Sequence, residues 1–255
     1  MLALADISLS IQTLVLVAVF LLFVGVVKGC TGFAIGLLSV PVLVQLFPPK
    51  IALAALTLPM FLSNVPLLVS DGIPWRFLTD RPEFFIAILV GTVVGVLGFI
   101  TIPVVIINLL LSVYLIGFLV NRHRSGNLGS WTTSRAAGAV VGGIGGVVSG
   151  AFLTGGPIFV SFLYGSRAKR TGVATRLALI FLIITGLRIL TLYPLGLFGP
   201  TEVLLGVGFL VPLTAGILLG IRFRPYVPQR KFNIFVEILL LAIAAKLTYE
   251  VVIAF

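Results

Sequence analysis

Histidine and cysteine occur once each in the 255 residues, as His123 and Cys30, and acids number seven against seventeen Lys and Arg. A single cysteine excludes an internal disulfide, and a lone histidine in a basic stretch excludes a histidine-based metal site or catalytic triad. The acids are Asp6, Asp71, Asp80, Glu83, Glu202, Glu237 and Glu250, all at termini, between apolar runs or within about a turn of an expected helix end. No carboxylate is therefore expected at mid-membrane, and neither a proton relay through Asp, Glu or His nor a carboxylate-lined cation path is supported. Neither a cofactor nor a metal site is expected.

Charge of either sign is also scarce. Only 9% of residues are charged and 60% are hydrophobic, so the polar surface cannot cover a soluble globule of this size. The apolar runs do not alternate with polar residues as the strands of a membrane β-barrel do. The net charge of +10 is split among short clusters between apolar runs, with no basic face for nucleic acid. The first apolar run lacks a small-residue cleavage pattern and is expected to stay as the first helix.

What is present is a series of apolar segments, at about 11–28, 33–47, 51–70, 84–101, 103–120, 136–153, 157–165, 171–194, 202–221 and 233–254. Several reach the roughly 20 residues needed to span about 30 Å of hydrocarbon. The fold class is all-α, a polytopic helical membrane protein. Four connections are basic, namely Arg76 and Arg81; Arg122, Arg124 and Arg135; Arg167, Lys169, Arg170 and Arg176; and Arg222, Arg224, Arg230 and Lys231. The positive-inside bias puts all four in the cytoplasm. That requires 84–120, 136–165 and 171–221 each to go out and come back, and leaves 51–70 as a single pass with Pro48-Pro49-Lys50 outside. The two halves then run in opposite directions, residues 1–120 and 136–255 forming repeats joined by a basic linker, 121–135.

A duplication is visible without charge. Gly25-Val26-Val27-Lys28-Gly29 and Gly146-Val147-Val148-Ser149-Gly150 match at four of five positions, 121 residues apart, and Thr31-Gly32 and Thr154-Gly155 follow. Both matches fall at the turn of the first hairpin of a half. Pro157 suits the first position of a new helix. The arm 157–165 is about 14 Å long at 1.5 Å per residue, so at least the second hairpin is expected to be re-entrant, while the first either dips or spans.

Such turns expose main-chain N–H groups at membrane depth, tolerated only inside protein or along a wet cavity. The helix following each break also carries its positive dipole end there. Gly29, Thr31 and Gly32 in the first break, and Thr154, Gly155 and Gly156 in the second, are thus candidates to share one anion. Arg188 has no acid within four residues, so its partner is tertiary, a backbone carbonyl or a ligand, and it is expected to supply charge to the bound anion. Lys28 is either a second cationic element or an anchor at the membrane edge. Asn64 lies between Pro59 and Pro66 in a helix that two prolines should distort, where its amide or the freed carbonyls are expected to line the anion's pathway. Lys246 has Glu250 four residues on and reads as a local ion pair. Gly138, Gly142, Gly146 and Gly150 form a ridge for close helix packing.

The chain resembles the TauE/SafE sulfite-exporter family in these residues: Gly29-Cys30-Thr31-Gly32-Phe33-Ala34-Ile35-Gly36 leading to Val40-Pro41; Gly150 through Thr154-Gly155-Gly156-Pro157; and Thr175-Arg176-Leu177-Ala178 through Arg188 to Leu192-Tyr193-Pro194-Leu195-Gly196. The resemblance implies a multi-pass plasma-membrane protein of two duplicated halves that moves small anions, with sulfite and sulfonates as themes. The expected partners are therefore a small anionic solute and the lipid bilayer. The alternative is a membrane enzyme or thiol relay acting through Cys30, which lacks an intramembrane base; the other reading of Cys30 is a buried small hydrophobe.

Overall fold

A computed structural model describes residues 11–32, 34–103, 134–165 and 172–223, together with 106, 109–110, 113, 116–117, 241, 245 and 248–249. The expected span 233–254, most of 103–120, the linker up to Thr133, the Lys246–Glu250 pair and the basic residues at 167–170 and 224–231 lie outside the described residues. What is described is helical throughout, and six helices are long and apolar enough to cross a membrane.

Helix α1 (Ile11–Thr31) is apolar and free of proline until its glycines, and ends at Gly32, whose φ is +85°. The break falls within the expected turn, at Thr31-Gly32. Ala34 follows with φ of +144°, a conformation that costs a residue with a Cβ about 1–3 kcal/mol. Helix α2 (Ile35–Leu46) runs back from there. Helix α3 (Pro49–Leu62) begins with proline at its first position and stops because Pro66 has no N–H to offer the Leu62 carbonyl. Helix α4 (Val65–Asp71) continues, so the single pass expected at 51–70 is a broken one. A short helix not foreseen from the apolar pattern, α5 (Trp75–Asp80), precedes α6 (Pro82–Thr101).

In the second half, Ser134 caps α7 (Arg135–Phe152) by accepting from the Ala137 N–H. The left-handed Leu153 (φ +59°) closes that helix. Then come α8 (Gly156–Gly165), α9 (Val173–Leu192) and α10 (Pro200–Phe223). At about 15 Å, α8 is too short to cross hydrocarbon, and α2, at about 18 Å, is as well.

Two glycine seams hold the bundle. On α1, Gly25 and Gly29 lie against the Leu213 and Ile217 carbonyls of α10, while Gly216 and Gly220 of α10 lie against the Leu22 and Val26 carbonyls. On α7, Gly146 and Gly150 lie against the Ile88 and Thr92 carbonyls of α6, while Gly91 and Gly95 of α6 lie against the Gly143 and Val147 carbonyls. Both pairs are parallel and close enough that an added Cβ would strike backbone. The expected ridge on α7 packs in this way at Gly142, Gly146 and Gly150, whereas Gly138 has room around it.

Each α1 residue in the first seam has its counterpart in the second 121 positions later, and each α10 residue has its counterpart 125 positions earlier. Outward faces carry exposed Val15, Val19, Val90, Val94, Ile144, Val211 and Leu218, as lipid contact requires; the middle, built from α2, α3, α8 and α9, buries Leu38, Leu56, Phe159 and Ile184.

One end of the bundle is basic. Arg81 donates to the Ser134 carbonyl, Asp71 accepts from Thr175, and Arg176 lies over the Phe77 ring, bringing together the ends of α4, α5, α6, α7 and α9. At the opposite end Lys50 donates to the Ile100 carbonyl and Glu202 accepts from the Gly199 N–H.

Candidate functional site

The two breaks touch. Gly36, in the first turn of α2, sits directly against the Leu153 carbonyl at the end of α7, where a Cβ would collide. From this junction α2 leads toward the end marked by Lys50 and Ile100, and α8 leads toward the basic end, where Phe162 stacks on Phe84 at 4.8 Å. The N-termini of two half-length helices of opposite sense therefore meet in the middle of the bundle. First-turn N–H groups have no acceptor within their own helix; in α8 this leaves Gly156, since Pro157 has no N–H and Ile158 and Phe159 donate to the Gly155 carbonyl, and each terminus carries about half a positive charge.

A cavity of about 20 Å³ opens at the junction, room for roughly one water. It is lined by Lys28 and Gly32 from the end of α1, by Ile35 and Gly36, by Met60 and Asn64 at the α3–α4 break, by Leu153, Thr154 and Gly156 at the α7–α8 break, and by Phe181. Among the described residues no carboxylate lines it, and no cluster of His, Cys, Asp or Glu is suited to a metal.

The lysine is held in place by the broken helix. Lys28 Nζ donates to Ser63 Oγ at 2.6 Å and to Asn64 Oδ1 at 3.0 Å. Ser63 Oγ in turn donates to the Met60 carbonyl at 3.1 Å, and Asn64 Nδ2 donates to the same carbonyl at 2.7 Å. That carbonyl only accepts, which fixes the orientation of the Asn64 amide and leaves both side-chain oxygens facing Lys28.

Arg188 is fully buried but stands off the cavity. Its Nε donates to Thr57 Oγ1 at 3.2 Å and its Nη1 to the Ala151 carbonyl at 3.4 Å. Thr57 spends its own proton on the Leu53 carbonyl, so it accepts from Arg188. Ala151 is in the last turn of α7, where carbonyls lack intrahelical donors and a cation meets the negative end of the dipole. Arg188 thus ties the end of α7 to α3, and its Nη2 has no partner among the described residues.

Of the residues singled out from sequence, Lys28, Gly32, Asn64, Thr154 and Gly156 meet at the cavity. Gly29 belongs to the α1–α10 seam and Gly155 packs against Ser149. Thr31 is the last residue of α1, and its side chain is outside the described residues. Cys30 is buried and donates its thiol to the Gly220 carbonyl at 3.4 Å, away from the cavity lining. Sequence reading missed Ser63 and the Met60 carbonyl, although Pro66 just beyond them marked the place where α3 had to fail.

A family model described as sulfite exporter TauE/SafE matches residues 17–247. The chain belongs to the TauE/SafE sulfite exporter family. Neither a curated protein nor a solved structure matches it. As a TauE/SafE member with six helices able to span a bilayer, it is a multi-pass membrane protein of a transporter family. The family's description names sulfite as an exported solute.

Proposed function

We propose that the central cavity is where this TauE/SafE protein binds a small sulfur oxyanion or organosulfonate, between the first-turn N–H groups of α2 and the Gly156 N–H that opens α8, with Lys28 as the cation that touches it. The observation that carries this reading is the meeting of two opposed helix N-termini on a cavity that holds a lysine and, among the described residues, no acid. Thr154 and Asn64 supply polar groups beside them. Arg188 adds positive potential from behind and holds the second break in position. At about 20 Å³ the cavity is too small for a sulfonate headgroup, so the cycle includes a step that parts the two breaks.

The halves are read as inverted repeats in the plasma membrane, each with a re-entrant hairpin, α1–α2 and α7–α8. The equal offsets of the two glycine seams and the common end of the basic connections support this arrangement. The seat of Cys30 in the α1–α10 seam gives the thiol alternative no support.

The test is anion flux into proteoliposomes. Replacing Lys28 with Gln should abolish saturable uptake of sulfite and methanesulfonate while the protein remains folded; unchanged uptake would remove Lys28 from the site. Cys30→Ala should retain full flux, and its loss would restore the thiol reading.

A further inference from the structure

We infer that Lys28 carries one proton with each anion, making transport an anion–proton symport through a single titrating amine. This rests on the cavity being the anion site, and it goes further by naming the coupling ion.

The hydrogen bonds carry the inference. Among the described residues the Lys28 nitrogen has two acceptors, Ser63 Oγ and Asn64 Oδ1, and the Met60 carbonyl commits both to accepting. A neutral amine has two N–H bonds, so these two acceptors satisfy both, and its lone pair needs no further donor from the protein at the cavity that Lys28 lines. An ammonium has a third N–H, which needs an acceptor that the described lining side chains do not supply as a charge. An anion in the cavity is that acceptor. The empty site is therefore complete with the amine neutral, and the filled site is complete with it charged.

Among the described residues, neighbouring groups leave the titration to Lys28. On α1 itself only Cys30 titrates, and its thiol is turned to Gly220. The short helix α2 has no titratable residue and α8 has only Tyr164, near its far end. On α3 and α4, Lys50 and Asp71 stand at the two ends, bonded to Ile100 and Thr175. On α10, Glu202 and Arg222 occupy the first and last turns. On α9, Arg176 lies at the start against Phe77, and Arg188 is tied to Thr57 and Ala151.

An unpaired ammonium in a site buried within a membrane is costly. A neutral amine when empty and an ion pair when loaded keep the charge of the moving unit constant. One proton from water on the loading side adds to the lone pair of Lys28 as the anion enters. The same N–H bond breaks, and the proton returns to water on the other side, as the anion leaves.

The experiment uses full-length protein in proteoliposomes with a pH-sensitive dye in a lightly buffered lumen. Methanesulfonate, ionised throughout the working range, is the first probe, and sulfite at alkaline pH, where it is a dianion, is the second. For wild type, anion entry should acidify the lumen by one proton per anion, and methanesulfonate entry should follow an imposed pH gradient and ignore an imposed potential. Lys28→Arg, or Asn64→Asp if that variant is unstable, holds the cation permanently charged and should remove the proton entry.

Wild-type flux without acidification, following the potential, overturns the coupling and leaves the anion site standing. Proton entry equal to wild type in both folded variants overturns the assignment to Lys28. Absence of saturable flux of either anion overturns the anion site, and the coupling with it.

Discussion

Two cations lie inside the bundle with different partners, and substitution should separate them. Lys28 faces a cavity and is held by a serine and an asparagine, so replacing it by Gln exchanges an amine that is neutral in the ligand-free protein for a neutral amide, without opening a core packing contact. Flux should vanish, while the melting temperature in detergent should stay level or rise. Arg188 is bonded to Thr57 and to the end of α7. Arg188→Gln leaves the Ala151 carbonyl without its charged donor and should cost about 1–3 kcal/mol of stability as well as flux. Equal effects of the two substitutions on melting would contradict this division. Both residues were visible in the sequence as cations in apolar runs without an acid one turn away. Which of them reaches the cavity was not, because it depends on α3 breaking at Ser63 and Asn64 and on α9 leaning toward α7, neither of which is a local property of Lys28 or Arg188.

At the scale of elements the glycines divide into two kinds. Gly25 and Gly146 let parallel helices touch backbone to backbone, each against the equivalent carbonyl of its partner. Gly25→Val and Gly146→Val should each destabilise the protein by about 1–3 kcal/mol, to the same extent if the seams are copies of one ancestral packing; melting curves of the two variants check this. Gly36 keeps two breaks in contact. Gly36→Ala drives a methyl into the Leu153 carbonyl and should abolish flux even where the protein still folds. The sequence showed both breaks through Gly-rich motifs and Pro157, and the distortion of α3 through Pro59 and Pro66. Within the first break, Thr31 and Gly32 mark where α1 ends, whereas Gly29 is still helical and seated against α10. Helix α5 was not foreseen, since Trp75–Asp80 is too short and polar to register among apolar runs.

For the whole molecule, the described parts of the basic connections gather at one end, with Arg81 against Ser134 and Arg176 against Phe77. A cysteine at Ile73, exposed between α4 and α5, should react with an impermeant maleimide only after permeabilisation, and one at Leu195, exposed between α9 and α10, should react in intact cells. The reverse pattern would invert the protein in its membrane.

The central claim concerns one place in this architecture, where the half-length helices α2 and α8 meet head to head beside Lys28. The most direct measurement is an anomalous-scattering map of crystals grown with selenite, a heavier analogue of sulfite. A selenium peak within hydrogen-bonding distance of Lys28 Nζ and the N–H groups of Ile35 and Gly36 is the expected result. A peak held by Arg188 on the far side of Thr57, or saturable selenite binding with no selenium at the junction, would contradict it.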